Sequence, residues 1–128
     1  MSELRWRTLW LFVGWALIAL LWYGSLMPAP PKVDLDHGDK WGHLLAYFIL
    51  SLWWMQLYRR RAQQHLLAFG FVAMGLVLEV LQGLSGIRFF ELADLAANTL
   101  GVLCAWALAP TRLGHALSWL EAKFVVRS

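Results

Sequence analysis

The sequence predicts an all-α integral membrane protein: a four-helix transmembrane bundle with both termini in the cytoplasm, followed by a C-terminal amphipathic interfacial helix. Of its 128 residues, 60% are hydrophobic and only 15% are charged, whereas a soluble domain carries about 25% charged residues. The mean hydropathy is +0.56, and long segments contain no charged residue. This composition excludes a soluble enzyme. It also excludes a disordered chain, because disorder requires low hydrophobicity and high charge.

Four apolar segments are long enough to cross a bilayer as helices, which takes about 20 residues each. They cover approximately residues 8–27, 41–58, 64–84 and 92–110. Prolines end the first and last of them, at Pro28 and Pro110. We expect the first span to be retained, since its apolar part exceeds the roughly 7–15 residues of a signal peptide. We therefore predict a four-transmembrane domain over 1–111 and a tail over 112–128.

The distribution of lysine and arginine predicts the orientation of the bundle. Eight of these residues fall on one side of the four spans, and such an excess favours the cytoplasmic side. The eight are Arg5, Arg7, Arg59, Arg60, Arg61, Arg112, Lys123 and Arg127. Both termini and the middle loop are thus predicted to be cytoplasmic, in a bacterial inner membrane, with loops 27–40 and 85–91 outside.

The tail has apolar residues at helical spacing and charged residues elsewhere on the helical wheel. The apolar positions are Leu113, Leu117, Leu120 and Phe124. This pattern predicts an amphipathic helix on the cytoplasmic leaflet. Packing of the same helix against the bundle is the alternative.

Polar residues gather where the predicted spans reach the outer side. They are Asp39, Lys40, His43 and Tyr47 at the start of the second span, Glu79 and Gln82 near the end of the third, Arg88 in the following loop, and Asp94, Asn98 and Gly101 at the start of the fourth. Residues three or four apart share one face of a helix, so we predict a polar pocket at the headgroup level. An ionised carboxylate such as Glu79 is expensive inside a membrane and marks a functional site by default.

Each of these residues also fits a structural role when it is taken alone. Asp94 suits a helix N-terminus, where the helix dipole favours an acid. Gln82 and Asn98 suit hydrogen bonds between helices, and Gly101 suits close packing of two helices.

If the pocket is an active site, His43, Glu79 and Asp94 are its candidate catalytic residues. Histidine and carboxylates act as general acids and bases and also hold divalent metals, while Arg88 would bind a phosphate. The motifs of metalloproteases, nucleophile elbows and phosphate loops do not occur. We therefore predict no metal or other cofactor. We also predict no nucleic-acid partner, because the basic residues are distributed as membrane topology requires. The single cysteine, Cys104, excludes an internal disulfide.

The ordered set of polar motifs resembles the VanZ-like family of small membrane proteins. Residues 39–48 resemble its DK-x-x-H-x-x-x-Y signature, and its E-x-x-Q, R and D-x-x-x-N-x-x-G elements follow in order at Glu79, Arg88 and Asp94. The Ser25-Leu26-x-Pro28 exit from the first span is also similar to the family, and the resemblance covers about residues 20–105. The family is named for an accessory protein of glycopeptide resistance that favours resistance to teicoplanin. The resemblance strengthens the choice of site residues more than any particular activity.

Three classes of function fit these features. The first is a pocket that binds an amphiphile, such as a membrane lipid, a lipid-linked envelope precursor or a lipoglycopeptide. The second is a membrane enzyme, a hydrolase or transferase, acting on a lipid-linked substrate. The third is a structural or assembly partner without a small-molecule site, in which the polar residues only join the helices. The sequence does not predict the oligomeric state.

Overall fold

The computed structural model describes residues 6–26, 38–85 and 92–125, with the side chains of 38–41, 85, 124 and 125 left out of the description. The described residues form five α-helices and one 3₁₀ turn. In chain order these are α1 (Arg7–Leu26), α2 (Gly38–Leu57), α3 (Arg61–Ser85), α4 (Leu92–Leu108), the turn Arg112–His115, and α5 (Ala116–Val125). The prediction of an all-α protein is confirmed.

At one end of the bundle, α1 and α3 finish while α2 and α4 begin. The side-chain amide of Gln82, in the last turn of α3, donates a hydrogen bond of 2.6 Å to the carbonyl of Ser25 at the end of α1. Near the starts of α2 and α4, His43 Nδ1 lies 3.9 Å from Asp94 Oδ1. The carboxyl ends of the odd helices therefore lie with the amino ends of the even ones.

The opposite end shows the complementary arrangement. Arg7, the first residue of α1, donates to the carbonyl of Leu57, the last residue of α2. Arg61, the first residue of α3, donates a hydrogen bond of 2.8 Å to the carbonyl of Trp106 in the last turn of α4. Each helix is therefore antiparallel to the next one along the chain, as in an up-down-up-down bundle.

Two described helices are long and apolar enough to cross a membrane. They are Arg7–Leu26 and Arg61–Leu84, with mean hydropathies of 1.8 and 1.9. The number becomes three if α4 and the segment Arg112–Lys123, which are bent by 82° relative to each other, count as one span. The structure therefore has two to three candidate membrane spans, which indicates a membrane protein.

Helix α2 forms the centre of the bundle and packs along α4. Its buried apolar side chains include Tyr47, Leu50, Trp54 and Leu57, which join Val102 of α4 in the main hydrophobic cluster. Helix α1, in contrast, buries only Gly14 among its residues. Large apolar side chains of α1, α3 and α4 face outward, among them Phe12, Trp15, Tyr23, Leu66, Phe69, Leu84 and Leu100. Apolar exposure on this scale is typical of a surface that contacts lipid or a partner.

The C-terminal helix packs against the bundle, which was the alternative for the tail. Leu117 is 2% exposed and belongs to the main hydrophobic cluster, and its backbone N–H donates a hydrogen bond of 2.7 Å to Gln56 Oε1. Leu113 of the predicted apolar face is instead 45% exposed. The inward face is formed by Gly114, Leu117 and Glu121. The buried Glu121 side chain accepts hydrogen bonds from the Trp6 backbone N–H, just before α1, and from the Trp10 indole N–H.

Candidate functional site: a buried polar cluster

Six of the predicted site residues come together where α2, α3 and α4 meet. This polar cluster consists of His43, Tyr47, Glu79, Gln82, Asp94 and Asn98. All of them except His43 are buried, and the His43 side chain is 15% exposed. The cluster lies at the end of the bundle where α2 and α4 begin.

His43 and Asp94 stand next to each other because α2 and α4 run side by side from their first turns. The distance of 3.9 Å between His43 Nδ1 and Asp94 Oδ1 is too long for a hydrogen bond. Among the described residues, His43 Nδ1 is buried and has no hydrogen-bond partner. A carboxylate beside an imidazole can orient the ring for proton transfer or for binding a polar group.

Tyr47 and Asn98 meet over Gly75 of α3. A Cβ atom added at Gly75 would lie 3.4 Å from Asn98 Nδ2 and 3.4 Å from the Tyr47 ring, so the glycine leaves just enough room for both side chains. Asn98 Oδ1 is buried without a hydrogen-bond partner among the described residues. A ligand or a water molecule that donates a hydrogen bond to such a buried acceptor would satisfy it.

Glu79 and Gln82 bring α3 into the cluster. Glu79 is 2% exposed and lies close enough to Tyr47 for the two to interact electrostatically. Gln82 uses its amide N–H on the Ser25 carbonyl, one of the carbonyls that the end of a helix leaves without an intrahelical partner. Gln82 therefore ties α1 to the cluster and has a clear structural role.

Gly101 supports the packing of α4 on α2 rather than lining the cluster with a functional group. A Cβ atom at this position would collide with the backbone carbonyl of Leu44 and lie 3.0 Å from the Phe48 nitrogen. Both obstacles are backbone atoms, so the glycine sets how closely the two helices approach. The structure agrees with the packing interpretation of this residue.

The structure does not describe the side chains of three predicted site residues. Asp39 and Lys40 lie in the first turn of α2, and their side chains are outside the description. Arg88 falls in 86–91, outside the described residues altogether. Their part in the site stays a prediction.

The described residues do not bring three His, Cys, Asp or Glu side chains together in a way that could hold a metal ion. His43 and Asp94 form a pair, and Glu79 does not complete a metal site with them.

Sequence reasoning missed Ser51, which extends the polar face of α2 into the bundle. Ser51 is 0% exposed, and its Oγ has no hydrogen-bond partner among the described residues. His43, Tyr47 and Ser51 recur every four residues on one face of α2. The four-residue spacing could have identified Ser51, but Ser51 was considered only as a nucleophile and was set aside because no nucleophile motif surrounds it.

Sequence reasoning also missed a second polar region, at the opposite end of the bundle. The arginines there were interpreted only as topology signals, yet Arg7, Arg59 and Arg61 donate to the carbonyls of Leu57, Gly114 and Trp106 respectively. Carbonyls at helix ends lack intrahelical partners, and cations are favourable near helix C-termini. Arg7 and Arg61 also stack on the rings of Tyr58 and Trp106, at 4.8 and 4.4 Å from the ring centroids.

Arg59 links the loop after α2 to the turn before α5. Its Nη2 lies 2.8 Å from His115 Nε2, so the neutral imidazole accepts the hydrogen bond. Burial lowers the pKa of Arg59. Burial, together with the positive charge of Arg59, lowers the pKa of His115. Both groups lie outside the four predicted spans.

We expect acidification to weaken this link. Because the folded-state pKa of His115 lies below its ordinary value of 6.5, the unfolded state binds a proton first, and stability falls as pH falls through and below that value. Thermal unfolding in detergent micelles at about pH 7.5 and 5.5 measures the effect. His115→Gln, which accepts the same hydrogen bond without titrating, should show a smaller loss between the two pH values. An equal loss in both proteins would contradict the role of His115.

Comparison with known proteins gives one informative match and two negative results. No protein-family model matches the chain, and no solved structure matches it. An uncharacterized protein of Schizosaccharomyces pombe is 35% identical over 101 residues, which cover 77% of this chain and 61% of the yeast protein. The chain thus spans about three fifths of the length of this curated relative, which comes from a eukaryote.

Proposed function

We propose that the chain is a VanZ-like multi-pass membrane protein whose polar cluster binds the headgroup of an amphiphile at the outer side of a bacterial cytoplasmic membrane. The ligand would be a membrane lipid, a lipid-linked envelope precursor or a lipoglycopeptide, and the last of these would connect the protein to teicoplanin resistance. One observation carries the proposal: five buried polar side chains from three helices meet at one end of an apolar bundle.

In this proposal all four long helices cross the membrane, with both termini in the cytoplasm. Helix α2 contains Asp39, Lys40, His43 and Gln56, which lower its hydropathy, but much of it is enclosed by its neighbours. Helix α4 has 17 residues and continues into the bent segment that follows. The arginines at the opposite end from the polar cluster then face the cytoplasm, in accordance with the positive-inside rule.

A binding role explains why the polar groups are retained in a place where they are unfavourable. Burying polar groups with incomplete hydrogen bonding reduces stability, and ionisable residues such as Glu79 are rare in membrane segments without a function. Neither His43 Nδ1 nor Asn98 Oδ1 has a hydrogen-bond partner among the described residues, so each has unused hydrogen-bonding capacity. A polar headgroup entering between the starts of α2 and α4 would use it.

The eukaryotic relative favours a ligand that different kinds of membrane share. A phospholipid headgroup meets this condition, whereas a precursor confined to bacterial envelopes does not. We therefore place a phospholipid first among the proposed ligands.

Lipids retained by the purified protein test the proposal. We expect native mass spectrometry of the wild type to show a specific bound lipid, and His43→Ala to raise the dissociation constant of that lipid at least about tenfold, equivalent to about 1.4 kcal/mol. His65→Ala is the matched control, because His65 is exposed at the opposite end of the bundle and contacts Trp106. Equal retention in the wild type and both variants would refute a binding role for the cluster.

A further inference from the structure

The chemistry of the polar cluster points to one kind of headgroup, on condition that the proposed binding function holds. In their ionised forms, Glu79 and Asp94 present only hydrogen-bond acceptors. Asn98 Oδ1 adds a buried acceptor that has no partner among the described residues. Acceptors therefore predominate in the described part of the cluster.

Donors also occur in the same region, since the Tyr47 hydroxyl, the Asn98 side-chain N–H groups and a His43 ring N–H can each donate, but groups that can carry a positive charge are few. The Gln82 amide N–H is already committed to the Ser25 carbonyl, and His43 is the one described side chain of the cluster that can carry a positive charge. An anionic group placed beside Glu79 and Asp94 would meet like charges in a region of low dielectric, where repulsion is strong. A group rich in N–H or O–H donors would be attracted.

We infer that the headgroup donates hydrogen bonds into the cluster, through a primary ammonium or through hydroxyl groups. Asn98 is the residue that distinguishes a ligand site from a mere cluster of acids. It is 3% exposed, and its side chain lies against Gly75 between α3 and α4. An incoming donor would reach Asn98 Oδ1 and Asp94 on the same face of α4, one turn apart.

Four phospholipids with identical acyl chains separate this inference from its alternatives. Phosphatidylethanolamine donates through an ammonium, phosphatidylglycerol donates through hydroxyls, phosphatidylcholine has no headgroup donor, and phosphatidic acid presents mainly an anion. Each is titrated into the delipidated full chain in detergent and followed by native mass spectrometry. We expect the ethanolamine or the glycerol lipid to bind at least about tenfold more tightly than the choline lipid, and the better of the two identifies the donor.

Variants link this preference to the cluster. Asp94→Asn keeps the shape of the side chain and removes its charge, and Asn98→Leu removes the acceptor; each should reduce the preference over phosphatidylcholine by at least about fivefold. Thr99→Ala, the neighbouring residue on α4, is the control and should leave the preference unchanged. If Asn98→Leu fails to fold, judged by thermal unfolding, Asp94→Asn decides the question.

The possible failures are distinguishable. If phosphatidylcholine binds as tightly as the donor lipids, or phosphatidic acid binds most tightly, the inference about donors is overturned. The proposed binding function survives that result if His43→Ala still abolishes lipid binding. If no lipid binds in a way that depends on His43, both are overturned.

Discussion

Replacement of Gly101 by valine is expected to separate α2 from α4 and to destabilise the bundle by about 3 kcal/mol or more. A Cβ atom at this position meets the backbone of Leu44 and Phe48, and backbone cannot move aside as a flexible side chain can. Overpacking of a well-packed core typically costs about 1–3 kcal/mol, and an obstacle made of backbone places this substitution at or above the upper end of that range.

The single cysteine offers a direct measurement of this effect. Cys104 lies on α4, three residues beyond Gly101, and is partly buried, so its reaction with a thiol-reactive dye reports loosening of α4 on heating. We expect Gly101→Val to react at a clearly lower temperature than the wild type. Gly70→Ala is the matched control, because nothing lies within 4 Å of a Cβ at Gly70, and alanine stabilises a helix interior by about 0.5–1 kcal/mol relative to glycine. Equal transitions for Gly101→Val and the wild type would show that the helices do not approach as described.

Replacement of Glu121 by alanine is expected to release α5 from the bundle, with a loss of about 1–3 kcal/mol in stability. Glu121 is 6% exposed, and its Oε2 accepts hydrogen bonds from the Trp6 backbone N–H, at 2.9 Å, and from the Trp10 indole N–H. Removal of the carboxylate leaves two donors without this acceptor. A fully buried unsatisfied donor costs about 1–3 kcal/mol, and because both hydrogen bonds are only partly buried, water replaces part of the lost interaction.

Hydrogen exchange of α5 measures that release. Amides in Ala116–Val125 should exchange faster in Glu121→Ala, and Glu121→Gln should restore part of the protection because its amide oxygen still accepts a hydrogen bond. Trp119→Ala is the control on the same helix, since Trp119 is 59% exposed. Unchanged exchange in Glu121→Ala would mean that the contacts of Leu117 and Arg59 hold the helix without Glu121.

Most of the helical architecture could be predicted from the sequence because the apolar segments and the residues that end helices, such as Pro28 and Pro110, give the same helix limits. Four helices were predicted near 8–27, 41–58, 64–84 and 92–110, and the structure has them over Arg7–Leu26, Gly38–Leu57, Arg61–Ser85 and Leu92–Leu108. The start of α2 was placed too late, since the limit was drawn at the last charged residue, Lys40. A helix can begin in a polar turn, so a charge-free segment underestimates its length.

The polar cluster could be predicted in part because three-and-four spacing fixes which side chains share a face. That reasoning joined His43 to Tyr47 and Asp94 to Asn98, and the up-down arrangement then brought the two faces together. The spacing of residues along one helix could not predict contacts that depend on how closely two helices approach. The meeting of Tyr47 and Asn98 over Gly75 is one example, and the docking of Glu121 on α1 is another, because neither follows from a one-dimensional pattern.

The contact between Glu121 and the start of α1 joins the two ends of the described chain. A ribosome releases residues in order, so Trp6 and Trp10 leave it long before their acceptor exists. The start of α1 therefore lacks this hydrogen-bond acceptor until α5 has been synthesised. A chain truncated before Glu121 would therefore contain its four long helices without the contact that holds α5 against the start of α1.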